Sequence, residues 1–344
     1  MPSMIVAGTL LAILSGLMNG SFTLPMRYLG RWEWENVWSL FIVSACLLLP
    51  ASIIAITAPQ SWSILLQVPA HAFWIAVLTG FAWGFGAIMF GQSVSAIGIS
   101  LANTFVLAIS SALGSLLPLL LLSPEKLFQR SGRMILLGVF VEVLGIVFCG
   151  KAGSMREKAA GVQSKAERGD LVGRPRPLAV ALLLVIGAGL LSAVFNIGFA
   201  LAQPIANFGR AANLDQFAST NLIWFIMLAA GSVANLGFCL YLLIRNRSFT
   251  RFTQRGSARL YWLALLMGLL WGGSIFVYGA AVPRLGVLGT SIGWPLSLAT
   301  GLLLANAIGL VLGEWKRAPH RARRFMFSGI ATLLIAIVVL SQAG

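Results

Sequence analysis

The sequence has few charged residues. Only 10% of its 344 residues are Asp, Glu, Lys or Arg, whereas a soluble domain carries about a quarter. Since 58% of the residues are hydrophobic, a water-soluble fold could not cover its surface with polar groups. The composition therefore excludes an ordinary soluble domain and indicates that most side chains are solvated by lipid.

Cysteine and histidine are also scarce. The three cysteines, Cys46, Cys149 and Cys239, lie inside apolar runs, and the two histidines, His71 and His320, lie near the ends of such runs. This pattern favours buried apolar thiols over disulfides, and it makes a His/Cys metal site improbable. No nucleophile elbow, phosphate loop or zinc signature is present. The sequence therefore predicts no enzyme, no catalytic residue, no metal and no cofactor.

Apolar runs of membrane-spanning length recur along the whole chain. About 20 residues are needed to cross a hydrocarbon core as a helix, and such runs predict an all-α membrane protein with ten transmembrane helices. The predicted spans are residues 4–26, 37–58, 71–96, 99–122, 133–151, 178–202, 217–245, 259–282, 286–312 and 322–341.

A polar, basic stretch divides the chain near its middle. We interpret residues 1–151 as a first five-helix repeat, 152–177 as a basic cytoplasmic loop and 178–344 as a second five-helix repeat. Most Lys and Arg residues lie in the odd-numbered loops, which the positive-inside rule assigns to the cytoplasm. With ten spans, both termini are then expected to be periplasmic. The net charge of +15 therefore reflects membrane topology and does not indicate a nucleic-acid partner.

The two halves share an ordered set of motifs. A Trp-Gly pair, followed by glycines eight and fifteen residues after the tryptophan, begins at Trp83 and again at Trp271. Because each half has five spans, an odd number, the second copy must enter the membrane in the opposite orientation. Such an inverted repeat is the architecture in which a central site opens alternately to either side. This symmetry favours a transporter over a structural or receptor role.

Polar amides and aromatic rings occur inside the predicted spans, where they could bind a polyol. Its hydroxyl groups lose water on entry and need hydrogen-bonding partners. The alternatives are hydrogen bonds between helices and ordinary aromatic packing. The candidate substrate-binding residues are Asn19, Trp38, Trp83, Gln92, Asn103, Asn196, Asn221, Trp271, Tyr278 and Trp294.

Three acidic residues are candidates for proton coupling. Glu35 and Asp215 precede or open the second and seventh spans, and for both the alternative role is capping a helix N-terminus. Glu142 lies in the middle of the fifth span, where an ionisable group is costly and usually functional. The alternative for Glu142 is a protonated acid that bonds a neighbouring helix.

Several short stretches resemble one known family. The segment 32–38 is similar to the Trp-x-Trp-Glu segment of the L-rhamnose–proton symporter family, which belongs to the drug/metabolite transporter superfamily. Segments 83–91, 235–239 and 314–315 are also similar. The resemblance covers nearly the whole chain.

The resemblance implies ten helices in two repeats and proton-driven uptake of L-rhamnose or a related sugar across the inner membrane. Glu35, Trp38, Asp215 and Asn235 fall where the family pattern is matched, whereas Glu142 does not correspond to an acid expected there. The implied partners are the sugar, the proton and membrane lipid. The sequence does not determine the oligomeric state.

Three functional hypotheses follow from these observations. The first is a sugar–proton symporter that works by alternating access. The second is an exporter of drugs or metabolites that works by proton antiport. The third is a membrane scaffold or receptor without solute flux.

Overall fold

The protein is helical throughout the part of the chain that the structure describes. This structure is a computed structural model, and it describes residues 2–159 and 178–344. Helices are expected in lipid because each helix satisfies its own backbone hydrogen bonds. The α-helices are α1 Pro2–Ser21, α2 Trp34–Ile42, α3 Leu49–Thr57, α4 Ser61–Leu65, α5 Ala70–Ile97, α6 Ile99–Leu122, α7 Arg130–Ala159, α8 Leu178–Leu201, α9 Gln203–Ala211, α10 Gln216–Arg245, α11 Ser257–Ala281, α12 Gly289–Val311 and α13 His320–Ser341.

Within the described ranges, nine continuous helical stretches are long and apolar enough to cross a membrane. The longest, Ser257–Val311, has 55 residues and includes both α11 and α12. Between these two helices Gly286 adopts φ 80° and ψ −155°, which is not helical. The expectation of an all-helical protein with many membrane-length helices is confirmed.

Some helix edges differ from the predicted spans. The second span begins at Trp34 and continues through a π-helical turn at Val43–Leu48 into α3. This turn lies directly before Pro50, which has no N–H to donate to the preceding turn. Helix α7 continues to Ala159, beyond the predicted edge at residue 151. The rest of the predicted basic loop, residues 160–177, lies outside the described residues.

Small residues bring pairs of long helices into close contact. A Cβ atom on Gly84 of α5 would lie 2.5 Å from the carbonyl oxygen of Gly231 in α10. Gly20 of α1 lies equally tightly against Gly301 of α12. Close approach at small residues is how helices associate in lipid, where the hydrophobic effect contributes little. These contacts join the first half of the chain to the second.

Candidate functional site

Trp38 and Asn235 form a hydrogen-bonded pair across the boundary between the two halves. The Nε1–H of Trp38 in α2 donates to Oδ1 of Asn235 in α10 at 3.0 Å. The Nδ2 of Asn235 in turn donates to the carbonyl oxygens of Gly84, at 3.3 Å, and Gly231, at 3.1 Å. Asn235 is fully buried, whereas Trp38 is half-buried. The pair therefore fixes the edge of an indole ring that stays partly accessible.

Four half-buried tryptophans meet around this pair, and we call them the tryptophan cluster: Trp34, Trp38, Trp83 and Trp271. Trp34 and Trp38 stack with ring centroids 5.1 Å apart. Trp83 of α5 and Trp271 of α11 stack with centroids 5.0 Å apart and an interplanar angle of 12°. Phe41 contacts both Trp38, at 4.7 Å, and Trp271, at 5.8 Å. The motif tryptophans of the two halves thus meet face to face.

Three candidate amides lie at the same end of the helix bundle as the tryptophan cluster. Asn19 is half-buried near the end of α1, and its Nδ2 faces Gly301. Gln92 is half-buried near the end of α5, directly after Gly91, which faces the ring of Trp34. Asn103 is half-buried in the first turns of α6. Three more helices, α1, α5 and α6, therefore carry polar groups at this end of the bundle.

Glu35 is buried beside this cluster. It lies in the first turn of α2, three residues before Trp38, and its side chain is 2% exposed. Its Oε1 accepts hydrogen bonds from Nδ2 of Asn246, at 3.0 Å, and from Oγ of Ser248, at 2.6 Å. The N-cap residue of α2 is Glu33, so the capping role weighed for Glu35 is wrong. Neutral groups thus hold this carboxyl group one helical turn from the Trp38–Asn235 pair.

Asp215 occupies a different environment. It is exposed, and its Oδ1 accepts a hydrogen bond from the backbone N–H of Ala218 at 2.7 Å, so it caps α10. Glu33, which is also exposed, is the N-cap residue of α2 and pairs with Arg251 at 2.5 Å. The structure therefore does not bring Asp215 together with Glu35.

Besides Glu35 and Glu157, Glu142 is a third buried carboxyl group. It is fully buried in α7, and Oγ of Ser111 in α6 donates to its Oε2 at 2.5 Å. Its Oε1 has no hydrogen-bond partner among the described residues. The adjacent turns of α7, at Val139 and Ile146, pack into aliphatic clusters with α12 and α13. Glu142 is thus separate from the tryptophan cluster.

The remaining candidates, Asn196, Asn221, Tyr278 and Trp294, form a second group together with Trp224, and we call these five residues the sealed cluster. The Oη–H of Tyr278 donates to Oδ1 of Asn196 at 2.5 Å. Asn196 Nδ2 donates to the carbonyl oxygen of Gly114 at 2.7 Å. Trp294 packs edge-on against Tyr278, with centroids 5.4 Å apart. The most exposed member, Trp294, is only 7% exposed.

Asn221 and Trp224, both in α10, differ from the rest of the sealed cluster. Asn221 is fully buried, and neither its Oδ1 nor its Nδ2 has a partner among the described residues. The indole N–H of Trp224 is likewise buried without a partner in that part of the chain. The sequence analysis missed Trp224, although its position three residues after Asn221 in the same span was a usable signal.

The two clusters extend toward opposite ends of the bundle and are joined by Phe195, whose ring lies 4.9 Å from Trp83 and 5.3 Å from Trp224. Short connections make successive long helices antiparallel, so the end where α2 and α6 begin is also where α10 ends. This accessible end carries Trp34, Trp38 and Asn103. The other end, where α10 and α12 begin, is the sealed end and carries the sealed cluster. Among the described residues no group of three His, Cys, Asp or Glu side chains could hold a metal.

Comparison with known proteins identifies the family. A family model described as "L-rhamnose-proton symport protein (RhaT)" matches residues 1–343. The L-rhamnose-proton symporters of Salmonella paratyphi B, Salmonella newport and Salmonella typhimurium are each 27% identical over 343 residues, which is 98% of this chain and 97% of theirs. The chain belongs to the L-rhamnose–proton symporter family.

Membership of the L-rhamnose–proton symporter family confirms the resemblance seen in segment 32–38. It also confirms the class of protein, since this is a family of membrane transporters and the chain has many membrane-length helices. In this family context, the Trp38–Asn235 pair and the buried Glu35 lie within segments whose similarity was noted from the sequence alone.

Proposed function

We propose that this protein couples inward transport of a deoxy-hexose, L-rhamnose, to entry of a proton by alternating access. The observation that carries the proposal is the arrangement around Trp38. Its indole ring is hydrogen-bonded to the buried amide of Asn235, and the buried carboxyl group of Glu35 lies one helical turn before it in α2. The names of the relatives support the sugar and the proton.

The proposed architecture is ten spans in two inverted repeats, residues 1–151 and 178–344. A single helix of 55 residues would extend about 80 Å at 1.5 Å per residue, far beyond the hydrocarbon core of about 30 Å. We therefore count α11 and α12 as two spans. Gly98, between α5 and α6, has φ 83° and matches Gly286, with φ 80°. The stacked Trp83 and Trp271 support a two-fold axis between the repeats.

The sugar would bind at the tryptophan cluster. A hexose presents apolar C–H faces that stack on indole rings, and hydroxyl groups that need donors and acceptors. Trp38 supplies the ring, and amides at the accessible end supply polar groups. Asn19, Gln92 and Asn103 are the candidates for these contacts.

The proton would be carried by Glu35. Among the described residues this buried carboxyl group forms no ion pair, and its hydrogen-bond donors, Asn246 and Ser248, are neutral. Protonation removes a buried charge next to the sugar site, which favours reorientation of the loaded carrier. Glu142 is the second candidate. Asp215 ranks third because its exposed carboxylate already caps α10.

We assign the accessible end to the cytoplasm of the inner membrane, with both termini periplasmic. The connections and helix ends at this end carry most of the basic residues, including Arg251 and, in the last turn of α7, Arg156, as the positive-inside rule requires. The structure would then represent a state that is open to the cytoplasm and sealed toward the periplasm.

The test is to record external pH when L-rhamnose is added to proteoliposomes that contain the protein. Symport predicts that the external medium becomes more alkaline as protons enter with the sugar. Acidification would instead support the exporter that works by antiport. No sugar-dependent pH change and no sugar flux would contradict both.

A further inference from the structure

Helix α10 carries two buried amides that differ in their hydrogen bonding. Asn235 is fully hydrogen-bonded, to Trp38 and to two backbone carbonyl groups. Asn221 is buried just as completely, yet both of its polar atoms lack partners among the described residues. An amide buried without hydrogen bonds costs free energy. Asn221 is therefore unexplained by packing in this state.

Trp224 shares this property on the same face of α10. Residues three apart on a helix are neighbours, so Trp224 follows Asn221 by about one turn. Its ring stacks on Phe199 with centroids 4.1 Å apart and lies 5.3 Å from Phe195. Its N–H points toward Gly279, a residue without a side chain, and has no acceptor among the described residues. An aromatic wall with a free donor thus adjoins a free amide.

We propose that Asn221 and Trp224 form a second hydroxyl-binding station for the transported sugar, used when the carrier opens at its sealed end. The proposal rests on the transport function proposed above. One hydroxyl group can accept from the indole N–H or the amide NH₂ and donate to the amide oxygen, so a polyhydroxylated solute satisfies all three unpartnered atoms. The tryptophan cluster would be the station used at the accessible end.

If this station exists, substitutions in it should change the KM for sugar presented to only one face of the membrane. Asn221→Leu removes both polar atoms at nearly constant volume, and Trp224→Phe removes the donor but keeps an aromatic ring. We expect each variant to raise the KM for L-rhamnose presented to the sealed end about tenfold. The KM at the accessible end should stay within about twofold of the wild type. Initial rates in proteoliposomes of known orientation measure both values.

Asn306→Leu is the matched control. Asn306 is a half-buried amide in α12 whose Nδ2 donates to Leu302 in its own helix at 2.9 Å. Its substitution should leave the ratio of the two KM values unchanged. If Asn221→Leu does not fold, Trp224→Phe still tests the station.

Two results would overturn the station: unchanged KM values at both faces, or an equal rise at both faces, which a merely structural role would produce. Failure of the wild type to transport L-rhamnose would instead reject the proposed function, and the station with it. Wild-type transport with unchanged variants would reject the station alone.

Discussion

The accessible and sealed ends of the bundle contain similar residue types in different states. At the accessible end, Trp34 and Trp38 are half-buried, and the amides Asn19 and Asn103 are partly exposed. At the sealed end, the amide of Asn196 and the rings of Trp224 and Tyr278 are at most 1% exposed. Amides and aromatic rings are thus present at both ends, but only those at the accessible end are partly exposed.

In the proposed alternating-access cycle, this difference assigns the gate to the sealed end. The sealed end is closed by specific side-chain hydrogen bonds, such as Tyr278 to Asn196, and not by aliphatic packing alone. Such bonds can be exchanged for bonds to water or sugar at modest net cost. Aliphatic contacts of α7 with α12 and α13, by contrast, surround Glu142.

The largest expected effect comes from Glu35→Gln. The amide oxygen of Gln can still accept from Asn246 and Ser248, so the site should stay folded, but it cannot release a proton. Accumulation of L-rhamnose driven by a pH gradient should be lost, while exchange of labelled for unlabelled sugar continues. Uptake by proteoliposomes measures both.

The control for Glu35 is Glu33→Gln, which alters an exposed acid two residues away that pairs with Arg251. A surface pair contributes about 0–1 kcal/mol, so accumulation should persist. Full accumulation in Glu35→Gln would reject Glu35 as the proton carrier.

The next effect, on the accessible end, comes from Trp38→Phe. This change keeps an aromatic face but removes the indole N–H that donates to Oδ1 of Asn235. The buried Oδ1 then has no hydrogen bond from residue 38. Loss of the bond leaves the ring edge unfixed, so the sugar must order the ring when it binds, and the KM for L-rhamnose should rise about tenfold, equivalent to about 1.4 kcal/mol. Trp262→Phe is the control, since Trp262 is 73% exposed. Equal KM values in wild type and Trp38→Phe would remove this pair from the binding site.

A smaller effect, on the sealed end, comes from Tyr278→Phe. Loss of the hydroxyl group removes its bond to Asn196, which weakens the closed state by about 1 kcal/mol, or roughly fivefold in population. A cysteine placed at Thr290, which is 7% exposed, should then react several-fold faster with an impermeant maleimide. Tyr241→Phe, an exposed tyrosine of α10, is the control. An unchanged labelling rate would show that this bond does not hold the gate.

The smallest effect is expected from Glu142→Gln. The new amide can keep the bond to Ser111, and the site is remote from the tryptophan cluster, so proton-driven accumulation should match the wild type. If Glu142→Gln lost accumulation while Glu35→Gln kept it, the proton carrier would be Glu142 and not Glu35. The same uptake assay decides between the two acids.

Local patterns predicted much of this structure. Apolar runs predicted the long helices, because the length of a span is set by the bilayer and not by distant contacts. The repeated Trp-Gly motif singled out Trp83 and Trp271, which stack. Glu35 was singled out by its position at the start of a span and by the family resemblance.

Long-range contacts explain what the sequence could not predict. The capping role offered for Glu35 was wrong because the helix begins at Trp34, and burial of Glu35 depends on Ser248, more than 200 residues away. The difference between the two ends was also not predictable. Both ends carry amides and aromatic rings, and the packing of α8, α11 and α12 determines which end is closed.

The most direct test of alternating access is to label both ends of the same carrier. In a background with the three native cysteines replaced by alanine, one cysteine is placed at Ala87, half-buried near the tryptophan cluster, and in a separate variant one is placed at Thr290. Impermeant maleimides are added from each side of the membrane, and the labelling rate is measured. The measurement is made with and without conditions that favour the periplasm-open state, such as external L-rhamnose with no proton gradient. The account predicts that labelling at Thr290 rises as labelling at Ala87 falls, each from its own side of the membrane. Labelling of both positions from one side, or rates that change independently, would contradict it.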